Sequence, residues 1–221
     1  LGSCEVASVL RLWADAFTEQ LSTPWDLEEI EFGGTHRDLG LFAVDSCNGN
    51  NHTGALNFME LSTAEVVCVQ ELRVAGLSAD TMSRAARKAK WSLAVEDASP
   101  TDKGSLSAGV GVATRSHLGH ANCDNLQWHT DLNARVRISF VNAILKGGLF
   151  VVSIYLWHTE GLSERNLQLL NHLARILASL RAPWLIAGDW NITPALLEAS
   201  GWLTLIKGRI HAAGISTCHL H

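Results

Sequence analysis

The sequence predicts a mixed α/β sandwich, and three observations carry that prediction. From Leu41 onward, short apolar runs are separated by polar or glycine-rich stretches, as buried strands are. Two longer segments, 79–90 and 163–181, carry helical patterns; the second spaces Leu167, Leu170, Leu173, Ile176, Leu177 and Leu180 along one face. Strands and helices do not alternate regularly, and Lys146-Gly147-Gly148 between two apolar runs reads as a hairpin turn. Together these point away from a doubly wound nucleotide-binding sheet.

In chain order, residues 5–21 place Val6, Val9, Leu10, Trp13, Phe17 and Leu21 at helical spacing, which predicts an amphipathic helix ended by Pro24. The acidic stretch Asp26–Glu31 and the Gly33-Gly34 pair predict a connector. Residues 1–35 are thus expected to form an accessory segment and 36–221 the domain proper. Strands are predicted at Leu41–Val44, Glu65–Val69, Val110–Thr114, Arg135–Ile144, Leu149–Tyr155 and Trp184–Ala187. Gly109-x-Gly111 lacks the third glycine and following helix of a dinucleotide fingerprint, and reads as a closely packed strand.

A chain of 221 residues, 47% hydrophobic and 18% charged, suits one folded domain and excludes a disordered one. No apolar run approaches the ~20 residues of a membrane-spanning helix. Charge is uneven: residues 1–70 hold 2 Lys/Arg against 11 Asp/Glu, and residues 71–221 hold 15 against 11, within a net charge of −5. An anionic partner is therefore expected to be held locally by the later part of the chain. Cys4, Cys47, Cys68, Cys123 and Cys218 are odd in number and scattered, so neither a disulfide framework nor a Cys-x-x-Cys site is expected. Cys218-His219-Leu220-His221 with His211 matches no zinc-finger spacing, and no zinc is expected. With no signal peptide visible, an intracellular location (nuclear or cytoplasmic) is the expectation. Leu1 in place of Met, and an end just after an apolar segment, lead to the expectation that both ends are cut.

The chemistry-bearing residues stand at strand ends. Val66-Val-Cys-Val-Gln-Glu71 is an apolar run closed by a carboxylate, and Trp184-Leu-Ile-Ala-Gly-Asp-Trp-Asn191 ends in Asp189 and Asn191 two positions apart. Residues i and i+2 of an extended chain point the same way, so Asp189 and Asn191 can present an acceptor and an amide to one site. The plain alternative is that each strand simply ends on its first exposed polar residue.

Val-Cys-Val-Gln-Glu71 resembles the Gln-Glu strand of the endonuclease/exonuclease/phosphatase superfamily, and Ala187-Gly-Asp-Trp-Asn191 resembles its Gly-Asp-Phe/Trp-Asn motif. Ser107-Ala-Gly-Val-Gly-Val-Ala-Thr-Arg115, Val151-Val-Ser-Ile-Tyr155 and the helix opening Ser163-Glu-Arg-Asn are similar to further family segments, in the family's order. The likeness covers roughly residues 40–218. It implies a four-layered α/β sandwich of deoxyribonuclease type, two mixed sheets flanked by helices. It also implies hydrolysis of phosphate esters with Mg²⁺, or Mn²⁺ in its place. On that likeness Glu71 is a metal ligand, Asp189 aligns and deprotonates the attacking water, Asn191 bonds the scissile phosphate, and Tyr155 touches it from the opposite side.

Three departures accompany the likeness. The family's first strand usually ends in an Asn beside the metal; Ala43-Val-Asp-Ser-Cys-Asn-Gly49 offers Asp45 or Asn48, with Asp45 the preferred register. His158 stands where the nucleases commonly carry Asn, and its imidazole can also bond a phosphate oxygen. The closing Ile-Asp and Ser-Asp-His motifs have no counterpart, which leads to the expectation of a domain incomplete at its C-terminus and poorly active. Arg84, Arg87 and Lys88, with Lys90, are candidate contacts to a nucleic-acid backbone, with a solvated helix face as the plainer reading, and Arg115, Arg135 and Arg137 are weaker ones. Trp128 and Trp157 are expected to fill core before stacking on a base or a lipid, and Trp190 to pack beneath the site. The expected function is endonuclease-like hydrolysis of nucleic acid, DNA above all. An inactive relic or interaction domain of the same fold, and a phosphatase on an inositol or lipid phosphate, are the alternatives.

Overall fold

The computed structural model describes residues 6–12, 36–37, 42–123, 126, 132–142 and 146–210. Their strands form two stacked sheets. The first is built from β1 (Val6–Leu12), β2 (Phe42–Asn48), β3 (Val66–Gln70), β4 (Trp91–Glu96) and β7 (Val110–Arg115), in the order β1-β2-β3-β7-β4. The second holds β8 (Ala121–Asn122), β9 (Val136–Val141), β10 (Leu149–Tyr155) and β11 (Trp184–Asp189), in the order β11-β10-β9-β8. A two-stranded ribbon, β5 (Ser99–Pro100) with β6 (Leu106–Ser107), lies apart. β2 and β3 run parallel, as do β10 and β11, and the other pairs are antiparallel, so both sheets are mixed.

Period-two alternation assigns the layers. Val44, Val66, Cys68 and Val112 of the first sheet meet Val141, Leu149, Val151 and Leu185 of the second, forming the inner core. The intervening Val67, Val69 and Ala113 face outward onto α1 (His52–Leu61) and α2 (Leu77–Lys88), through Ala55, Met59, Ala79, Met82 and Ala86. On the far side Val136, Ile138, Val152 and Ile154 pack on Leu169, Leu170, Leu173 and Leu177 of α3 (Glu164–Ser179) and on Leu197 and Trp202 of α4 (Pro194–Ala199) and α5 (Trp202–Ile206). The result is the expected four-layered α/β/β/α sandwich. Each strand of the core is apolar on both faces because both faces are covered.

The helix starts are written in the sequence. Asn51, Ser163 and Thr193 each accept the N3 backbone N–H of the following helix, at Gly54, Asn166 and Leu196. Pro194 at the first position of α4 suits a site whose N–H has no intrahelical partner.

Three expectations need correction. Val6–Leu12 is a strand, antiparallel to β2, and not part of a helix; residues 13–35, including the acidic connector, lie outside the described residues. Its pairing shifts register between Ala7 and Leu10, so one extra residue interrupts the period-two pattern and imitates helical spacing. The first strand of the domain runs on to Asn48, four residues past its predicted end. Asn142 follows a ninth strand that stops at Val141, short of the predicted Ile144.

Candidate active site

The inner face of the sandwich changes character at one end. Along β2 the inward residues run Val44, Ser46, Asn48; along β3, Val66, Cys68, Gln70; along β10, Val151, Ser153, Tyr155; along β11, Leu185, Ala187, Asp189. All four strands reach this end with their C-termini, so the same alternation that buries the apolar residues delivers polar ones to a shared cavity. That cavity has a volume of about 780 Å³ and is lined by Asn48, Glu71, Tyr155, His158, Asp189 and Asn191, with Ser46, Asn50, Gln70, Thr159 and Thr193 around them. Among its described lining residues there is no Lys or Arg.

Asp189 is held from two sides. Asn48 Nδ2 donates to its Oδ2 at 2.8 Å, and the Asn191 N–H donates to its Oδ1 at 3.3 Å. Asn48 is itself oriented by the Asn50 N–H, which donates to its Oδ1 at 3.1 Å. Gly188 precedes Asp189 at φ 157°, pressed so close to β10 that a Cβ would stand 2.0 Å from the Ile154 carbonyl oxygen. Only glycine lets β11 pair there and still aim Asp189 into the cavity.

Asn191 takes a left-handed backbone, φ 48°, and its Nδ2 donates to the Leu156 carbonyl at 3.0 Å. Its Oδ1 therefore faces the His158 ring, whose Nδ1 lies 2.8 Å away and donates to it. This leaves His158 Nε2 as the ring nitrogen for a ligand.

Glu71 sits just beyond β3, also left-handed at φ 55°, with Arg73 at φ 53° two residues on. The Leu72 and Arg73 N–H groups pin this turn to the carbonyls of Gly109 and Ala108, both at 3.0 Å. Two non-glycine residues held at positive φ are a strained arrangement that the surrounding bonds maintain. The Tyr155 hydroxyl donates to Glu71 Oε1, and Arg73 Nη2 donates to Oε2 at 2.7 Å. Burial raises the Tyr155 hydroxyl above its ordinary pKa, and its bond to Glu71 adds to this, so Tyr155 is a proton donor across the physiological range. Behind it Arg135, 8% exposed, lies over the Tyr155 and Trp157 rings at 4.8 and 4.0 Å. Burial brings the Arg135 guanidinium down to about 10, still charged at neutral pH.

Of the residues singled out by sequence, Glu71, Tyr155, His158, Asp189, Asn191 and Asn48 share this cavity. Asp45 does not. It lies on the opposite face of β2 and accepts the Ser62 hydroxyl at 2.6 Å, so the register left between Asp45 and Asn48 resolves to Asn48. Arg115 is at the other end of the first sheet, about 20 Å of strand away from Glu71. It donates to the carbonyls of Ala64 and Ser62 and lies 3.9 Å from the Trp91 ring, contacts within the fold. Arg84, Arg87 and Lys88 are exposed on α2, which leads back to Trp91 opposite Arg115. Arg87 and Lys88 thus stand at the end remote from the cavity, and Arg84 bonds Thr81. Arg137 pairs with Glu96 at 2.6 Å. Trp190 packs edge-on against Trp202, 6.0 Å between rings, and Trp128 lies outside the described residues.

Sequence reasoning assigned no role to Gln70, Ser46, Ser153 or Arg73, and took Arg135 only as a weak candidate phosphate contact. The first three were legible as polar residues at inward positions of otherwise apolar strands.

A family model described as "Endonuclease/Exonuclease/phosphatase family" matches residues 44–209. The chain belongs to the endonuclease/exonuclease/phosphatase family. A search of curated proteins found no match. Among solved structures, a humanized D. rerio TDP2 is 17% identical, with 72% of this chain and 70% of that one covered and a TM-score of 0.47. The AP endonuclease LMAP from Leishmania major is 15% identical over 67% of this chain and 54% of that one, at 0.49. ANGEL2, a 2',3'-cyclic phosphatase, is 13% identical over 63% and 43%, at 0.45. This is a family of phosphodiesterases, nucleases and phosphatases that generally depend on a divalent metal.

The donor set here fits such a metal. Among the described residues no three His, Cys, Asp or Glu side chains cluster as a ligand group. The cavity instead offers two carboxylates, Glu71 and Asp189, beside the amides of Asn48 and Asn191. Few carboxylates, all-oxygen donors and room for water suit a hard cation that keeps much of its hydration. Among the described residues no helix is long and apolar enough to cross a membrane.

Proposed function

We propose that the chain hydrolyses a phosphodiester bond of nucleic acid with a divalent cation, Mg²⁺ or Mn²⁺. The observation that carries this reading is the convergence of Asn48, Glu71, Tyr155, His158, Asp189 and Asn191 on one polar cavity at the C-terminal ends of β2, β3, β10 and β11. Glu71 and Asn48 are the groups placed to hold the cation, which when bound supplies charge to offset that building on the phosphoryl oxygens.

This chain's own residues do the rest. Asp189, oriented by Asn48 and the Asn191 N–H, positions the attacking water and takes its proton as the water oxygen bonds phosphorus. The bond from phosphorus to the leaving ester oxygen breaks, and that oxygen acquires a proton from solvent. The His158 ring, held through Nδ1 by Asn191, presents Nε2 to the cavity and donates to the phosphate only as the imidazolium, while the Tyr155 hydroxyl proton is given to Glu71.

Two features support this substrate class. With no Lys or Arg among the described lining residues, a head group bearing several phosphomonoesters finds no fixed cations to balance it. A diester phosphate brings a single negative charge. The basic balance of residues 71–221 supports a polyanionic chain passing over the mouth. One observation favours the inactive-relic alternative: both Glu71 oxygens are already engaged, by Tyr155 and Arg73. Nicking of plasmid DNA, cleavage of a bis-aryl phosphodiester and phosphate release from an inositol polyphosphate, each with and without Mg²⁺, separate these readings. Mg²⁺-dependent nicking is expected. Phosphate release alone makes the chain a phosphatase, and no turnover by the folded chain supports the relic.

A further inference from the structure

Behind the cavity, a glutamine side chain crosses between the two sheets. Gln70 is 1% exposed, and its Nε2 donates to Ser153 Oγ on β10 at 2.9 Å. The Ser153 hydroxyl donates back across the gap to the Val69 carbonyl of β3 at 3.2 Å, closing a ring of bonds between the sheets. Ser46 of β2 donates to Gln70 Oε1 at 3.3 Å. Ser46 and Ser153 are 2% and 0% exposed, so three strands from two sheets meet in one buried polar knot.

Packing alone does not call for this knot. The preceding inward positions of the same strands hold Val44, Cys68 and Val151, and an apolar residue would fill the space without burying an amide. Position is what distinguishes it. Glu71 is the next residue after Gln70, and Tyr155 is two residues after Ser153; these are the groups that touch across the cavity. Apolar contacts between stacked sheets tolerate sliding, whereas hydrogen bonds fail within about 1 Å of displacement, and this knot adds buried bonds between β3 and β10 to the Asn48–Asp189 and Glu96–Arg137 links elsewhere between the sheets.

We infer that Gln70, with Ser46 and Ser153, is a positioning residue that fixes the offset of the two sheets and so sets Glu71 against Tyr155. The inference rests on the proposed cation-dependent chemistry only for its effect on metal affinity; the offset itself is independent of it. Groups that orient metal ligands typically change affinity 10–100-fold when removed.

Tyr155 is the single tyrosine of the chain, which gives the test a local probe. With 3-fluorotyrosine incorporated, the wild type has one ¹⁹F resonance from this site. Gln70→Met keeps the side-chain volume and removes the bonds, and Ser153→Ala removes the same bond from the other sheet. The expected result is a shifted or broadened ¹⁹F line in both variants, with cooperative unfolding retained, and Mn²⁺ affinity about tenfold weaker. A Gln70→Met line that coincides with wild type in a folded variant overturns the inference; should that variant not fold, Ser153→Ala decides by the same criterion. Failure of the wild type itself to bind Mn²⁺ instead counts against the metal reading and leaves the ¹⁹F comparison to judge the tie.

Discussion

Replacing Gly188 with Ala tests the geometry that aims Asp189. A Cβ there stands 2.0 Å from the Ile154 carbonyl oxygen, 2.8 Å from its N and 2.9 Å from its carbonyl carbon, all backbone atoms. Such contacts are not met below about 3 Å, so β11 must retreat from β10 by about 1 Å. A hydrogen bond stretched by that amount is lost. The ladder positions at risk are Ile154 with Gly188 and Tyr155 with Asp189. Losing two partly buried backbone bonds costs roughly 1–3 kcal/mol each when partners are left unsatisfied. The unfavourable backbone at φ 157° adds on the order of 1 kcal/mol. A total of about 3–7 kcal/mol predicts a Tm lower by at least about 6 °C for a chain of this size. Asp189 would move with its strand, so phosphodiester cleavage should fall at least tenfold even well below that Tm. Calorimetry and steady-state cleavage of a bis-aryl phosphodiester measure both. A variant that melts within about 2 °C of wild type and cleaves normally would refute the close-approach argument.

Other substitutions separate site from scaffold. Asn48→Ala removes a charge-assisted bond to Asp189, worth about 1.5–3 kcal/mol, so kcat should fall about 10–100-fold and Tm by several degrees. Arg115→Met should lower Tm by several degrees, by releasing the Ala64 and Ser62 carbonyls, while leaving the salt dependence of DNA binding unchanged, as read by anisotropy titration. Arg87→Gln with Lys88→Gln should move stability by less than about 0.5 kcal/mol, and plasmid nicking at moderate salt by less than twofold. Glu65 carries a pH signature. Burial pushes its carboxyl up, but the Ala43 N–H, Arg37 and His36 outweigh this and hold it below its ordinary value. Its contribution is therefore present above the unfolded carboxyl's titration and is lost as pH falls through the folded one. Stability measured by denaturant from pH 7 to pH 3 should drop less steeply in Glu65→Gln than in wild type.

Much of the architecture was legible from period-two runs such as Val66–Gln70 and Leu149–Tyr155, and from the helical spacing of 163–181, because these segments bury what their pattern shows. The strand at Val6–Leu12 was not: a bulge scrambles its alternation, and its identity depends on β2, a partner thirty or more residues away. Asp45 was preferred at the site because β2 was read as ending at Val44. Counting in twos from the buried Val44 would have led through Ser46 to Asn48 and placed Asp45 outside. Arg115 looked like a phosphate contact because a charge at a strand end is ambiguous until one knows which end of the sheet it occupies. Glu71, Asp189 and Asn191 stood out because a carboxylate closing an apolar run has no packing purpose. Gln70 and Ser153 are polar residues in apolar strands, but only the stacking of the two sheets shows that they meet.

The central claim, that Asp189 in this cavity drives cation-dependent phosphodiester hydrolysis, is tested most directly by nicking of supercoiled plasmid under single-turnover conditions, wild type beside Asp189→Asn. Asn preserves the shape and one of the two bonds that Asp189 accepts, from Asn48 or the Asn191 N–H, while removing the base. The account predicts Mg²⁺-dependent nicking by the wild type and a rate at least a hundredfold lower in the folded variant. Nicking that persists undiminished in Asp189→Asn, or proceeds equally in chelator, would contradict it.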